Sequence, residues 1–295
     1  MQLSAAGTAI EIDDQGPAGA VPLLLIMGLG MPLTAWPEEL VRLLVARGFR
    51  VIRMDNRDAG LSQRFDQLGV PNLAWAGLRH AIHWPVRAPY TLTDMANDAV
   101  GVLDALGIAS AHVCGASMGG MIAQRLVARH PERVKSLVLM MSSSGARHLP
   151  LPSWRVSRAL MSRPAGRSEA AVVAHLTRLL GVIGSPAYRP DPQELQQRLT
   201  TLVARGWHPA GTARQLAAVA ADGDRRALLA GVRTPTQVIH GADDPLLPLA
   251  CGLDLVASIP GAVADIVPGM GHDLPQALLP RFADAISENA ARTPG

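Results

Sequence analysis

Short apolar runs alternate with stretches of helical spacing along most of the chain. The runs have the length of buried strands and lie at residues 23–27, 51–54, 111–114, 134–141, 236–240 and 264–267. Apolar residues spaced three and four apart predict helices at residues 37–47, 93–106, 118–129, 249–258 and 275–290. Strands that alternate with helices indicate an α/β fold with a mostly parallel sheet.

Two details of the pattern concern a helix end and the edge of the sheet. Thr93 is the candidate N-cap of helix 93–106, with Asp94 in the first turn and Gly107 after the last one. Residues 3–12 are followed by a polar tail. This first segment predicts one or two antiparallel strands at the sheet edge.

The alternation stops between Ser144 and Thr234. This stretch contains proline-rich segments and helical patterns at 170–180 and 192–205, without a convincing strand pattern. We therefore assign residues 1–145 and 234–295 to the core, and residues 146–233 to a helical cap (lid) over the carboxyl edge of the sheet.

Composition narrows the class of protein. The chain has 295 residues, of which 48% are hydrophobic, enough for one large domain or a domain with a lid. Net charge is +3 and the basic residues are scattered, so nothing favours nucleic-acid binding. The longest apolar run, residues 21–33, is broken by Pro and Gly and is shorter than the ~20 residues of a membrane span.

Compartment and metal use follow from the N-terminus and the cysteines. The first residues carry no basic segment followed by an apolar one, so no secretory signal is expected and the predicted location is cytoplasmic. Cys114 and Cys251 form no C-x-x-C pair and have no metal-type histidine spacing nearby. They are predicted to be reduced, near-core thiols, and no cofactor or metal is expected.

One serine is surrounded by very small residues. The predicted strand 111–114 runs into Gly115-Ala116-Ser117-Met118-Gly119-Gly120 and then into a helix. This strand–turn–helix context makes a G-x-S-x-G match meaningful, because the small residues let the chain bend sharply and lift the serine Oγ clear of the sheet. Ser117 is therefore the candidate nucleophile; the alternative is a glycine-rich turn with an incidental serine.

A serine nucleophile needs a base, and the base needs an acid. His272 stands in a glycine-rich turn late in the chain, in the order Ser, acid, His. After strand 236–240, either Asp243 or Asp244 is placed to be the acid. The other position for an acid, after strand 134–141, holds only Ser142, Ser143 and Ser144, with no carboxylate.

Acyl transfer also needs donors for a developing oxyanion. The amide that follows the nucleophile, Met118, is one candidate. The second is the Leu29 amide, in the glycine-rich turn after strand 23–27. The alternative is that the glycines there only make a turn.

Five segments in this order, LLLIMGLG, MDNRDAGLS, GASMGG, HGADDPLLP and PGMGHDLP, resemble the α/β-hydrolase superfamily. They most resemble the bacterial carboxylesterase branch that includes aclacinomycin methylesterase, and the resemblance covers about residues 20–145 and 234–290. It implies a twisted, mostly parallel, eight-stranded sheet flanked by helices, with a helical cap.

The resemblance also implies site residues. The family's acid is the fourth residue of a G-x-x-D pattern, which falls on Asp244. The nucleophile falls on Ser117, the base on His272, and the oxyanion donors on the backbone of Leu29 and Met118.

Three other features follow from the resemblance or lie beside it. Many relatives have a histidine before the oxyanion glycine, where this chain has Met27. Asp55 and Arg57 are interpreted as a partly buried structural pair that braces the serine turn; the alternative is a substrate-binding role for Arg57. Residues 66–90, with Trp75, His80, His83 and Trp84, are expected either to edge the pocket or to pack on the surface; no nearby acid or cysteine completes a metal site with the two histidines.

The leading hypothesis is a serine hydrolase that cleaves carboxylic esters through an acyl-enzyme. The expected substrate is a small ester with apolar character, since the cap is apolar; the candidate lining residues are Met161, Leu179, Leu180, Val182, Ile183 and Trp207. No nucleic-acid or membrane partner is expected, and the protein is taken to be a monomer or homodimer.

Carbon–carbon bond hydrolases, thioesterases and perhydrolases use the same triad. A non-catalytic small-molecule receptor is the alternative from another class. A dehalogenase or epoxide hydrolase requires Asp where Ser117 stands.

Overall fold

A computed structural model describes residues 1–82 and 84–293. Its eight-stranded sheet has the order β1-β2-β4-β3-β5-β6-β7-β8. The strands are β1 (Gln2–Ala5), β2 (Thr8–Gln15), β3 (Val21–Ile26), β4 (Phe49–Met54), β5 (Ala111–Ala116), β6 (Val134–Met140), β7 (Thr236–Gly241) and β8 (Val263–Val267). Only the pairings of β1 with β2 and of β2 with β4 are antiparallel among these strands. The predicted parallel sheet and antiparallel edge are both confirmed.

Helices connect and flank the strands. They are α1 (Glu38–Ala46), α2 (Leu73–Ala81), α3 (Leu92–Ala105), α4 (Met118–Arg129), α5 (Trp154–Met161), α6 (Glu169–Ile183), α7 (Pro192–Gly206), α8 (Pro209–Asp222), α9 (Arg226–Leu229), α10 (Leu249–Ser258) and α11 (Leu279–Ala291). Helices α4 and α10 have the predicted bounds. None of the helices in the described residues is long and apolar enough to cross a membrane.

The core lies on both faces of the sheet. In β3, Leu24 and Ile26 belong to one buried apolar cluster, whereas Leu23 and Leu25 belong to the cluster on the opposite face. Alternate side chains of a strand point to opposite faces, so a strand covered on both sides is apolar throughout. Both faces of β3 are therefore covered by packed side chains.

The N-cap of α3 is Thr91, so the prediction of Thr93 is wrong. The Thr91 hydroxyl accepts a hydrogen bond from the Asp94 amide at 3.1 Å, and the Asp94 carboxylate accepts one from the Thr91 amide at 2.7 Å. This reciprocal pair is a capping box. Leu92, which is completely buried, enters the first turn and moves the helix start ahead of Thr93.

Five helices, α5 to α9, lie in the chain between β6 and β7; we call residues 146–233 the insert. Its apolar centre joins α6 and α7 through Val172, Val173, Leu176, Leu199 and Leu202. The sequence predicted α6 and α7 but not α5, α8 or α9. Helix α5 is short, and several of its large side chains, including Met161 and Trp154, are exposed.

The buried histidine His112 makes stability sensitive to acid. Its ring Nδ1 lies 2.8 Å from Ser136 Oγ inside the core, and burial lowers the pKa of His112 from 6.5 to about 4. The unfolded chain therefore binds a proton between pH 6.5 and 4 that the folded protein does not, so acid favours unfolding in that window.

We expect stability to fall between pH 7 and 4.5, with about 2 kcal/mol of the loss due to His112. The variant His112→Gln removes this contribution, so its urea unfolding free energy should change correspondingly less between the two pH values. A slope unchanged in His112→Gln would refute the assignment.

Candidate active site

Ser117 stands on a strained turn between β5 and α4. Its backbone angles are φ 55° and ψ −118°, a conformation that residues other than glycine rarely adopt. The neighbouring glycines cannot be replaced: a Cβ on Gly119 would lie 2.0 Å from the Ile26 carbonyl oxygen, and one on Gly115 would lie 2.3 Å from that of Gly119. The small residues are thus required by backbone contact between the turn, its own helix and β3.

Three side chains from separate turns form a continuous chain of contacts. His272 Nε2 lies 3.0 Å from Ser117 Oγ, and His272 Nδ1 lies 2.7 Å from Asp244 Oδ2. His272 and Asp244 are buried, with 9% and 4% of their surfaces exposed, so the pair is shielded from water. An ionised Asp244 can only accept a hydrogen bond, so the proton of a neutral His272 lies on Nδ1 and is donated to Asp244. His272 Nε2 is then free to accept a hydrogen bond from the serine hydroxyl.

The structure gives the two adjacent aspartates, Asp243 and Asp244, different partners. The residue pattern alone did not say which of them is the acid. The second oxygen of Asp244 accepts hydrogen bonds from the Leu246 and Leu247 amides at 2.8 and 2.9 Å. Asp243 is exposed, and its carboxylate accepts a hydrogen bond from the Gly269 amide at 2.8 Å. Asp244 therefore contacts His272, whereas Asp243 fastens the turn that precedes it.

His240 supports the loop that carries Asp244. Its Nε2 lies 2.8 Å from the Leu247 carbonyl oxygen, to which it donates, and 3.9 Å from Asp244 Oδ2. Burial lowers the pKa of His240 and so disfavours the charged form of its ring. The negative charge of Asp244 can therefore stabilise a positive charge on His272.

The two amides predicted as oxyanion donors lie next to the serine turn. Met118 is the first residue of α4, and Leu29 follows Gly28, where a Cβ would lie only 3.2 Å from Ser117 Cβ. Within the described part of the chain, neither amide donates a hydrogen bond to another protein group.

Asp55 and Arg57 do not pair with each other, so that interpretation is wrong. Arg57 binds the Asp98 carboxylate through two nitrogens, at 2.6 and 2.8 Å. Asp55 accepts from the Leu33 amide at 2.5 Å and from Arg205 of the insert at 3.2 Å. The two side chains have separate partners, and Asp55 braces the turn after β3 instead of the serine turn.

The three serines after β6 have structural hydrogen bonds. Ser142 Oγ donates to the Ser117 carbonyl oxygen at 2.9 Å, and the Ser143 carbonyl accepts from Arg225 at 2.7 Å. Ser144 Oγ donates to Asp254. This position therefore stabilises the serine turn and contains no acid for His272.

The insert holds the His272 turn directly. The His272 amide donates to the Ile183 carbonyl at 2.7 Å, and the Gly271 amide donates to Ser185 Oγ at 2.9 Å. The Asp273 carboxylate in turn accepts from the Ser185 amide and hydroxyl, at 3.0 and 2.5 Å, and burial raises the pKa of Asp273. No motif in the sequence pointed to Ser185, because its partners lie far along the chain.

One cluster of metal-type donors occurs in the described residues. It consists of Asp58, Asp66 and His208. The Arg214 guanidinium occupies their shared space, with one nitrogen 2.7 Å from Asp58, 2.9 Å from Asp66 and 3.1 Å from His208. This cationic group already pairs with both carboxylates, so we interpret the cluster as an ion-pair link between core and insert.

Residues 66–90 contain α2, which packs against α8 of the insert. Trp75 and Trp84 are about half exposed, and the Arg79 guanidinium lies over both rings at 5.6 and 5.7 Å from their centroids. This arrangement agrees with packing at the surface. Of the possible histidine pair, residue 83 and the side chain of residue 80 lie outside the described part.

The insert residues expected to line a pocket differ in burial. Met161 is 78% exposed, so its predicted place in an enclosed lining is wrong. Leu180 and Trp207 are partly buried and pack, with Met31, against the apolar centre of the insert. Apolar surface of the insert thus meets the turn that carries Leu29.

Comparison with known proteins gave consistent matches. The family described as alpha/beta hydrolase fold matches residues 21–275. Rhodomycin D methylesterase DauP of Streptomyces sp. (strain C5) is 34% identical, over 92% of this chain and 90% of its own. A 2-hydroxy-6-oxononadienedioate/2-hydroxy-6-oxononatrienedioate hydrolase of Cupriavidus pinatubonensis is 32% identical, over 89% and 84%. The enol-lactonase of Burkholderia xenovorans LB400 has a similar fold, with a TM-score of 0.77, 23% identity and coverage of 99% and 100%.

Proposed function

The chain belongs to the α/β-hydrolase fold family, and from that premise we propose that it is a serine hydrolase that cleaves carboxylic esters through an acyl-enzyme. One observation carries the proposal: Ser117, His272 and Asp244 are joined at 3.0 and 2.7 Å on turns from three different parts of the chain. A nucleophile, a base and an acid in this geometry are the requirements of acyl transfer.

In the first half of the reaction His272 Nε2 takes the proton of Ser117 as its Oγ attacks the ester carbonyl carbon. The oxyanion that forms accepts hydrogen bonds from the Leu29 and Met118 amides. His272 then gives the proton to the alkoxy oxygen, the carbon–oxygen bond breaks, and an alcohol leaves an acylated Ser117. Asp244 stays ionised and stabilises the imidazolium.

In the second half, water replaces the alcohol. His272 removes a proton from the water as its oxygen attacks the acyl carbon, and a second oxyanion forms at the same two amides. Collapse of this intermediate breaks the bond to Ser117 Oγ, which recovers its proton from His272. The products are a carboxylic acid and the free enzyme, and the steps balance without a cofactor.

We further propose that the substrate is a small ester with apolar character. The methylesterase relative supports an ester of a small alcohol. Apolar surface of the insert at Leu180 and Trp207, packed with Met31, supports an apolar acyl group. A cytoplasmic location stays a prediction, as does the choice between monomer and homodimer.

The second candidate is a hydrolase that cleaves a carbon–carbon bond in a substrate with a free carboxylate. The relative named as a dienedioate hydrolase suggests this class. Arg198, on α7, favours it, because its guanidinium has no hydrogen bond to any described residue. Burial lowers the pKa of Arg198, and the attraction of Asp273, next to the base, opposes that shift. An incompletely buried, unbonded cation is suited to bind a carboxylate.

Substitution of Arg198 separates the two candidates. We expect Arg198→Gln to lower kcat/KM about 10- to 100-fold for a substrate with a free carboxylate near the cleaved bond. For a neutral methyl ester the change should stay within about threefold. Arg178→Gln, at an exposed arginine of α6, is the matched control. Equal losses on both substrates would remove Arg198 from substrate recognition.

The proposal is tested by a substrate screen that measures turnover number. Neutral methyl esters, thioesters and vinylogous 1,5-diketo acids are each mixed in large excess with the protein, and alcohol, thiol or acid release is followed to many equivalents. We expect steady release from methyl esters at many turnovers per site. Release that stops at one equivalent would favour a receptor that keeps its triad, and preferred cleavage of the diketo acids would favour the second candidate.

A further inference from the structure

Gln215 of the insert joins two loops of the core. Its side chain on α8 is completely buried. Oε1 accepts a hydrogen bond from the Gly30 amide at 2.7 Å, and Nε2 donates to the Arg57 carbonyl at 2.8 Å. An amide N–H only donates and a carbonyl only accepts, so these partners fix the orientation of the glutamine amide. One insert side chain thus connects the turn after β3 with the loop after β4.

The turn after β3 needs an outside partner at Gly30. The Met31 amide donates to the Gly28 carbonyl at 3.3 Å and closes the turn. Gly30 is the third residue, with φ +67°, a conformation that a type II turn requires at this position and that favours glycine. Its own amide is not used within the turn. A Cβ on Gly30 would lie 2.6 Å from Thr212 Oγ1, so α8 runs directly against this turn.

Both peptide units around Leu29 are therefore held. The Leu29 amide belongs to the peptide unit whose carbonyl is that of Gly28, and a planar trans peptide directs its N–H opposite to that carbonyl. Gln215 holds the following unit through the Gly30 N–H. Donors fixed before the reaction stabilise an oxyanion more than donors that must first reorganise.

The core holds the start of the same turn. Asn56 Nδ2 donates a hydrogen bond to the Met27 carbonyl oxygen at 2.8 Å. The Met27 thioether itself offers no hydrogen-bond donor. Among the described residues, Gln215 is the one insert side chain that bonds to the backbone of the turn Gly28–Met31. The end of the turn thus depends on how the insert sits.

We propose that Gln215 is a positioning residue for the oxyanion hole, and that the insert must be docked on the core for the Leu29 amide to be correctly placed. The inference rests on the proposed function, because it assigns Leu29 as a donor to the reaction. It adds a role for the insert beyond covering the substrate.

Hydrogen exchange tests the positioning without any substrate. Gln215→Met keeps the size of the side chain and removes both hydrogen bonds, so the two hydrogen-bonded amides of this turn, those of Gly30 and Met31, should exchange about tenfold faster or more. Gln215→Glu keeps an acceptor for Gly30, and burial favours its neutral form, which donates to Arg57; it should keep most of the protection. Unchanged exchange in Gln215→Met, or equal loss in both variants, would overturn the proposal.

A buried amide at the other end of the sheet provides the control. Asn289 is completely buried, and its Nδ2 donates to the Leu137 and Pro235 carbonyls at 3.0 and 3.2 Å. Asn289→Leu should lower stability without faster exchange at residues 28–31. Equal exchange at residues 28–31 in Asn289→Leu and Gln215→Met would show a general loosening and would count against a positioning role.

Kinetics supply the second readout. With a methyl ester, Gln215→Met should lower kcat about 10- to 100-fold while KM changes less than about threefold, because the hole binds the transition state and not the ground state. Affinity for a boronic acid, whose adduct oxygen occupies the hole, should fall by the same factor as kcat/KM. An active wild type with an unimpaired Gln215→Met would refute the inference. If the wild type hydrolyses no ester, the proposed function fails, and the exchange experiment still decides the role of Gln215.

Discussion

Ser117→Ala is expected to abolish hydrolysis while the protein stays folded. Ser117 Oγ is the atom that His272 contacts at 3.0 Å, and no other hydroxyl in the described residues has this contact. Loss of a serine nucleophile removes the covalent route, so kcat should fall roughly 10⁴-fold or more. The backbone strain at φ 55° is the same for alanine as for serine, and the unfolding free energy should change little.

The measurement pairs methyl-ester turnover with urea unfolding of the same sample. Ser136→Ala is the matched control, because Ser136 is also buried but bonds to His112 in the core. It should keep near-wild-type turnover. Hydrolysis by Ser117→Ala at a near-wild-type rate would refute the assignment of the nucleophile.

Asp244→Asn is expected to be the second most damaging substitution. The Asn side chain keeps an acceptor for the Leu246 and Leu247 amides but presents an N–H group to His272 Nδ1. That contact favours the tautomer with the proton on Nε2, which cannot accept the Ser117 proton. A loss of about 10³- to 10⁴-fold in kcat is expected, with the fold retained.

Asp243→Asn is the control for this experiment. The Asp243 carboxylate bonds to the Gly269 amide and not to His272, and its asparagine can still accept that hydrogen bond. Its kcat should stay within about tenfold of the wild type. Both variants are compared by kcat at pH 7 to 8. Equal losses would mean that Asp244 is not specifically the acid.

Local patterns predicted the local parts of the structure well. Strand, turn and helix around Ser117 are neighbours in sequence, and their steric demands leave little choice but glycine at Gly115 and Gly119. Helix α4 has the predicted bounds for the same reason. Thr91 and Thr93 stand on either side of a buried leucine, and only the three-dimensional packing of that leucine decides which of them caps α3.

Long-range partners were beyond reach of the pattern. Arg205 meets Asp55 across 150 residues, and Gln215 meets Gly30 across 185. Which helix of the insert lies on which loop depends on tertiary packing, and spacing along the chain carries no such information. The interpretation of Asp55 and Arg57 as a structural pair is wrong for this reason: Arg57 binds a carboxylate of α3, although Asp55 is closer in sequence.

The choice between Asp243 and Asp244 was only partly predictable from local sequence. Both are aspartates in the turn after β7, and the resemblance to a G-x-x-D pattern selected Asp244. The structure places Asp244 against His272 and turns Asp243 toward Gly269. Adjacent side chains point to different sides of the turn, so the exact position in the turn decides which aspartate contacts His272.

Labelling with a fluorophosphonate, followed by intact-mass measurement and peptide mapping, tests whether Ser117 is an activated nucleophile. We expect one label per chain, on Ser117, because only a serine activated by a neighbouring base attacks phosphorus at a useful rate. Ser117→Ala should take up no label, and Asp244→Asn should label far more slowly. A folded wild type that takes no label, or takes it at another residue, would contradict the claim that Ser117, His272 and Asp244 form a working nucleophile.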